Sequence, residues 1–183
     1  MTRLRSLFVI GVPGAGKSSL AAVLAPRLCL PIVEIDAAIE AATGRSISAL
    51  MLAGEDTYRG LEAEHTMRHI FDDALVVLTG GALEHPHASA LLRDVLARGD
   101  SALVTCRVSI SCLARRQGLN APRSVGLGPV RSRLSALMRQ RERAWARFDP
   151  IVVDTDTLSP SQAGQTVVDA LAVRGFAVEG AGH

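Results

Sequence analysis

An apolar run and a glycine-rich loop meet in the segment Leu7-Phe8-Val9-Ile10-Gly11-Val12-Pro13-Gly14-Ala15-Gly16-Lys17-Ser18. Four apolar residues followed by a glycine are typical of a buried parallel strand. The residues from Gly11 to Ser18, called the phosphate loop below, match G-x-x-x-x-G-K-[ST], whose backbone amides bind phosphate groups. A helix predicted from Lys17 to about Leu28 completes the strand–loop–helix context of this pattern. The segment therefore predicts a polyphosphate site at the end of a strand.

Lys17 is the only lysine of the chain, and the other 19 of its 20 basic residues are arginine. A guanidinium is a wide planar fork, whereas an ammonium is a compact charge that fits among closely packed amides. A lysine kept at this one position indicates a chemical requirement. We expect Lys17 to reach the β- and γ-phosphates of a nucleotide and Ser18 to bind Mg²⁺.

Composition narrows the class of protein. The chain has 183 residues, a net charge of +2 and 48% hydrophobic residues, which predicts one domain over 1–183. The charge is too small to indicate nucleic acid, and no apolar run approaches the ~18 residues of a membrane span. Three cysteines without C-x-x-C spacing argue against a disulfide framework or a zinc site. We expect a cytoplasmic protein that ends in a flexible tail, about residues 175–183.

Strand and helix patterns alternate along the chain. The predicted strands are Leu7–Ile10, Pro31–Glu34, Ala74–Thr79, Ala102–Thr105 and Ile151–Val153. Helices are predicted between them, among them one that Asp36 caps and Gly44 ends, and one over Ser89–Arg98. This alternation is typical of an α/β fold with a parallel sheet, which binds ligands at the carboxyl ends of its strands.

Several polar groups are placed at that edge. Glu34 and Asp36 end the second strand and could hold a metal's water shell and orient a substrate hydroxyl; the alternative is a simple helix cap. Gly80 and Gly81 could offer amides to a ligand or form a plain turn. Arg59 and Glu62 share a helix face and could be a surface ion pair.

Two further groups of side chains remain. Six arginines flank or follow the loop at 118–129: Arg115, Arg116, Arg123, Arg139, Arg141 and Arg143. We expect two or three of them to contact a ligand. His65 and His69 have metal-ligand spacing, but the glutamate of H-E-x-x-H is missing, so we expect them at a helix surface.

The order of these motifs resembles that of shikimate kinases over about residues 7–172. The most specific part is Glu34-Ile35-Asp36 … Thr43-Gly44-Arg45 … Tyr58-Arg59-x-x-Glu62, together with Thr79-Gly80-Gly81. The resemblance implies a three-layer α/β/α phosphate-loop kinase with a five-stranded parallel sheet and a mobile lid at about 113–130. It implies transfer of the γ-phosphoryl of ATP to the 3-hydroxyl of shikimate, in a monomer that uses Mg²⁺ and serves aromatic amino acid synthesis.

The resemblance also implies roles for individual residues. Lys17, Asp36 and Arg123 would be catalytic, and Ser18 and Glu34 would hold Mg²⁺, partly through water. ATP would bind Gly14, Ala15, Gly16, Lys17, Ser18, Ser19, Arg116, Arg123 and Pro160. Shikimate would bind Asp36, Arg59, Glu62, Gly80, Gly81 and Arg141.

The chain departs from the family pattern mainly on the substrate side. Glu34 stands where aspartate is usual, Ala82 replaces a third glycine, and Tyr58 replaces a residue that is often phenylalanine. The lid segment continues Arg123-Ser124-Val125-Gly126 where the family usually has Arg-Pro-Leu-Leu. Two alternatives therefore stay open: a kinase for another hydroxylated small acid or cyclitol, and a ligand-sensing protein with weak turnover.

Overall fold

The sheet at the centre of the protein is parallel and has five strands. The computed structural model describes residues 1–116 and 128–178, with the backbone alone at 128–131. The strands of the sheet are β2 (Ser6–Ile10), β3 (Ile32–Glu34), β4 (Leu75–Val77), β5 (Ser101–Arg107) and β6 (Ile151–Asp154). Across the sheet their order is β3-β4-β2-β5-β6. All five predicted strands are confirmed, with shifted ends: β4 is shorter and β5 longer than predicted.

Helices alternate with the strands, as expected. They are α1 (Lys17–Leu28), α2 (Ile35–Thr43), α3 (Ile47–Ala53), α4 (Glu55–His69), α5 (Pro86–Leu96), α6 (Ile110–Arg116), α7 (Gly128–Trp145) and α8 (Pro160–Val173). A short 3₁₀ turn, Ala146–Phe148, follows α7.

Two predicted helix starts are wrong. The cap of α2 is Glu34, so Asp36 lies inside the first turn of the helix. A carboxylate in the first turn is favoured by the helix dipole. Helix α5 starts at Pro86 and not at Ser89, because proline at the first helical position has no N–H that would need a partner.

The central strand β2 is covered on both faces. Leu7, Phe8, Val9 and Ile10 are all 0% exposed. Successive strand residues point to opposite faces, so helices must pack against both faces of the sheet. The predicted three-layer α/β/α architecture is confirmed.

A second, two-stranded parallel sheet joins the two ends of the described chain. It pairs β1 (Thr2–Arg3) with β7 (Phe176–Ala177), and Phe176 is buried. This strand lies within the segment that the sequence analysis assigned to a flexible tail. A strand of two residues is too short to show a hydrophobic period, so the sequence could not indicate that Phe176 is buried. Residues 179–183 lie outside the described part of the chain.

The strand order decides where the functional segments meet. Strand β4 lies between β3 and β2, with Glu34 opposite Val77 and Val9 opposite Val77 in the register. The segments that follow these three strands therefore emerge side by side at one edge of the sheet. They are the phosphate loop, the turn at Glu34 and Asp36, and the glycine pair Gly80-Gly81.

Candidate active site

The phosphate loop is shaped by two of its glycines. A Cβ on Gly11 would lie 2.9 Å from the carbonyl oxygen of Cys106, so the loop can approach β5 only without a side chain there. Gly16 caps α1 with φ +85°, a conformation that favours glycine. Lys17 is the first residue of α1, and its ammonium donates to the carbonyl oxygens of Gly11 (2.9 Å) and Val12 (3.3 Å). The loop thus places the ammonium and the start of the helix together.

Beside the loop lies a cavity of about 450 Å³. Among the residues that line it are seven of the predicted nucleotide contacts: Gly14, Gly16, Lys17, Ser18, Ser19, Arg116 and Pro160. Ala15 is fully buried and donates its N–H to Val12 within the loop, so its role toward ATP stays a prediction. The cavity has the size of small-molecule sites and one anion-binding wall.

Arg116 ties this cavity to the end of β6. Its guanidinium donates to the carbonyl oxygens of Gly14 (3.1 Å) and Thr155, and it also reaches the Thr155 hydroxyl (3.4 Å). Thr155 also lines the cavity. It belongs to the run Val153-Asp154-Thr155-Asp156, which resembles the family's loop against adenine, although no role was assigned to Thr155 itself.

The predicted acid-binding residues meet at the glycine pair. An added Cβ on Gly81 would lie 2.2 Å from a guanidinium nitrogen of Arg59 and 2.8 Å from a carboxylate oxygen of Glu62. One on Gly80 would lie 3.0 Å from a guanidinium nitrogen of Arg141. The structure therefore brings all five residues together, from α4, from the segment after β4 and from α7. We call this group the acid side of the site.

Glu62 is the buried centre of the acid side, at 2% exposure. Its carboxylate binds the guanidinium of Arg59 at 2.8 Å and accepts a hydrogen bond from the hydroxyl of Thr79. A buried carboxylate needs such partners, because an unpaired buried charge is strongly destabilising. The ion pair of Arg59 and Glu62 is thus half-buried and holds both side chains in the site. The ion pair of Arg59 with exposed Glu55 (3.2 Å) lies at the surface.

Asp36 lies between the phosphate loop and the acid side. It is exposed, and its Oδ1 accepts a hydrogen bond of 3.0 Å from the hydroxyl of Tyr58. Desolvation raises the pKa of Asp36, while the Tyr58 hydroxyl and the Lys17 ammonium lower it. In turn, burial lowers the pKa of Lys17, and the carboxylates of Asp36 and Glu34 counteract this. These couplings put both carboxylates within electrostatic reach of the ammonium.

Arg141 forms an ion pair within the chain that was not predicted from the sequence. Its Nε donates to Oε1 of Glu84 at 2.8 Å, and the arginine side chain is 9% exposed. Glu84 also acts electrostatically on Arg59. A carboxylate of the chain itself therefore lies close to both arginines that were predicted to bind a substrate carboxylate. No pattern in the sequence indicated this pairing, since the two residues are 57 positions apart.

Three other predictions have different outcomes. Arg123, with most of the lid assigned to about 113–130, lies outside the described residues; residues 113–116 belong to α6 and 128–130 to α7. His65 is buried and not at a helix surface, because α4 is covered by neighbouring helices. His69 binds Asp72 at 2.7 Å. Among the described residues, no three His, Cys, Asp or Glu side chains could hold one metal ion.

No helix within 1–116 and 128–178 is long and apolar enough to cross a bilayer. A family model described as shikimate kinase matches residues 13–172. The chain is 31% identical over 169 residues to the shikimate kinase of Thermobifida fusca (strain YX), covering 91% of this chain and 95% of that protein. It is 30% identical over 167 residues to that of Rhodococcus jostii (strain RHA1), covering 90% and 96%.

The fold is similar to a solved shikimate kinase from Acinetobacter baumannii in complex with shikimate. The TM-score is 0.75 at 22% identity, and the match covers 93% of this chain and 94% of the other. The family model spans most of the chain, and both relatives match along nearly their whole length. The chain therefore belongs to the shikimate kinase family.

Proposed function

We propose that the protein transfers the γ-phosphoryl group of ATP to the 3-hydroxyl of shikimate. The observation that carries the proposal is the convergence of a phosphate loop and an arginine-lined acid side at one sheet edge, with Asp36 between them. Such a site can hold a polyphosphate and a carboxylated polyol at once. Positioning of both reactants and electrostatic stabilisation together supply most of the catalysis in phosphoryl transfer.

Each residue has a proposed role on the phosphate side. The amides of the phosphate loop and the N-terminus of α1 bind phosphate oxygens, and Lys17 releases its two loop carbonyls to reach the β- and γ-phosphates. Arg116 supports the nucleotide cavity together with Thr155. Arg123 remains a predicted catalytic residue that neutralises charge on the transferred group and closes with the lid.

Asp36 orients the attacking hydroxyl and accepts its proton. The hydroxyl oxygen bonds to the γ-phosphorus while the bond from that phosphorus to the β–γ bridging oxygen breaks, and ADP leaves. Arg59 and Arg141 bind the substrate carboxylate, a task for which paired guanidiniums are suited. The amides of Gly80 and Gly81 contact the substrate ring. Glu62 keeps Arg59 in place through their 2.8 Å contact.

The residues present fit Mg²⁺. Ser18 is exposed at the nucleotide cavity, and Glu34 is half-buried at the end of β3. Mg²⁺ takes only one or two protein oxygens and keeps several waters, so one serine hydroxyl and one carboxylate are a sufficient set of donors. When bound, Mg²⁺ would supply charge neutralisation at the phosphates, and Ser18 and Glu34 would hold it, the latter partly through water.

A second candidate is favoured by the ion pair of Glu84 with Arg141. A carboxylate of the chain at the acid side reduces the positive charge that is available to an acidic substrate. Such a site would suit an uncharged cyclitol better than an acid, and a different hydroxylated acid is the other form of this candidate. The phosphate side is the same in both candidates.

Release of ADP in a coupled assay separates these candidates. We expect turnover with shikimate and little with quinate, gluconate or myo-inositol. Turnover on one of those three alone would support the second candidate, and ATP binding without any turnover would support a sensor. The variant Asp36→Asn should lose transfer and retain ATP binding, so a kcat near that of the wild type would contradict the role of Asp36. The proposed monomeric state is tested by light scattering.

A further inference from the structure

The hydroxyl of Tyr58 lies at the junction between Asp36 and the acid side. Tyr58 is buried, at 6% exposure, and is the only tyrosine of the chain. Its hydroxyl oxygen is 3.0 Å from Oδ1 of Asp36 and 3.4 Å from Oε1 of Glu62. The guanidinium of Arg59 lies over its ring, 5.4 Å from the centroid. One phenol thus contacts three of the residues proposed to bind or activate the substrate.

The hydroxyl of Tyr58 donates its hydrogen bond to Asp36 and not to Glu62. Glu62 is already compensated by Arg59 and by the hydroxyl of Thr79, and its distance to Tyr58 is at the limit of a hydrogen bond. A hydroxyl has one proton to donate, and the shorter contact leads to Asp36. Burial, and then the neighbouring carboxylates, raise the pKa of Tyr58, so the phenol stays protonated and remains a donor.

We propose that Tyr58 is a positioning residue for phosphoryl transfer: its hydroxyl fixes Oδ1 of Asp36 and leaves Oδ2 to meet the acceptor hydroxyl. The proposal rests on the function proposed above. A carboxylate without such a bond can rotate about its Cβ–Cγ bond and exchange the positions of its two oxygens. A hydrogen bond to one oxygen restricts that rotation. The same phenol also contacts Glu62 and Arg59, so it links the position of Asp36 to that of the bound acid.

Removing this bond should affect the rate more than the binding of the acid. Without the hydroxyl of Tyr58, the Asp36 carboxylate can rotate away from the acceptor hydroxyl. Arg59 keeps its 2.8 Å contact with Glu62 and stays available to the substrate carboxylate. kcat should therefore fall much more than the KM for shikimate rises.

The test is Tyr58→Phe, which removes one oxygen and keeps the ring that fills the core. We expect kcat to fall by about tenfold, as for a lost bond to a charged group. The KM for ATP should stay at the wild-type value, and the KM for shikimate should change much less than kcat. In parallel, ¹³C NMR at neutral pH without substrates should show a changed chemical shift of the Asp36 carboxylate, because that carboxylate has lost its hydrogen-bond donor.

Thr79→Val is the matched control, because it removes the other hydroxyl that contacts Glu62 and leaves the bond from Tyr58 to Asp36 in place. It should raise the KM for shikimate and leave the Asp36 carboxylate signal unchanged. The proposal is overturned if Tyr58→Phe leaves that signal unchanged, or if kcat stays at the wild-type value. Should the wild-type protein not turn over shikimate, the proposed function fails, and the carboxylate signal alone decides whether Tyr58 controls Asp36.

Discussion

Replacing Gly81 with alanine tests whether the acid side binds the substrate carboxylate. The new Cβ would lie 2.2 Å from a guanidinium nitrogen of Arg59 and 2.8 Å from an oxygen of Glu62. Non-bonded heavy atoms need about 3.5 Å, so the guanidinium would have to move by more than about 1 Å. Gly81 does not have a positive φ, so the backbone itself tolerates alanine and the effect falls on Arg59.

A displacement of this size should be visible in the kinetics. Misplacing a positioning group by about 1 Å can cost on the order of 100-fold in rate, and a lost bond to a charged group costs about 1.5–3 kcal/mol. We therefore expect the KM for shikimate to rise by about 10- to 100-fold in Gly81→Ala. The KM for ATP should not change, because the nucleotide cavity is lined by other segments. ADP release, measured while each substrate is varied in turn, gives both values.

Gly60→Ala is the matched control for this variant. Gly60 is exposed on α4 directly after Arg59, and an added Cβ there meets nothing within 4 Å. The control should keep wild-type kinetics and gain about 1 kcal/mol of stability from helix propensity, or about 2–4 °C in Tm. A wild-type KM for shikimate in Gly81→Ala would refute the assignment of the acid side, as would an equal rise in the KM for both substrates.

Three further variants test separate parts of the site. Lys17→Arg keeps the charge and loses the compact shape, so we expect kcat to fall by at least about 100-fold, and near-normal turnover would contradict the argument from the lone lysine. Glu84→Gln removes the carboxylate that binds Arg141, so the KM for shikimate should fall several-fold; a rise would mean that Glu84 instead holds Arg141 in place. Arg116→Ala should raise the KM for ATP and spare that for shikimate, and equal changes in both would argue against its placement at the nucleotide cavity.

The phosphate side could be predicted because its residues are contiguous. Gly11, Gly16 and Lys17 act through the local backbone: a close approach to β5, a positive φ at the cap, and the first residue of the helix. Each of these follows from residue type and spacing, so the motif specifies its own geometry. The buried run before it predicted the central strand for the same reason.

The pairs that join separate elements in and beside the acid side could not be predicted. Tyr58 and Asp36 are 22 positions apart, and Arg141 and Glu84 are 57 apart. Their contacts depend on how α2 and α4 pack on each other and on where α7 lies beside the segment after β4, which no local pattern encodes. The cap assigned to Asp36 and the surface position assigned to His65 were wrong for a related reason, since both were judged from neighbours in sequence and not from packing.

By itself, the sequence determined the parallel α/β fold, the phosphate loop and the identity of the residues at the acid side. The tertiary structure decided how those residues pair: Tyr58 with Asp36, Glu84 with Arg141, and Gly81 with the Arg59–Glu62 ion pair. The physical reason is the range of the interactions. Backbone conformation and hydrophobic period act over a few residues, whereas a side-chain contact between separate elements exists only once the strand order β3-β4-β2 has brought those elements together.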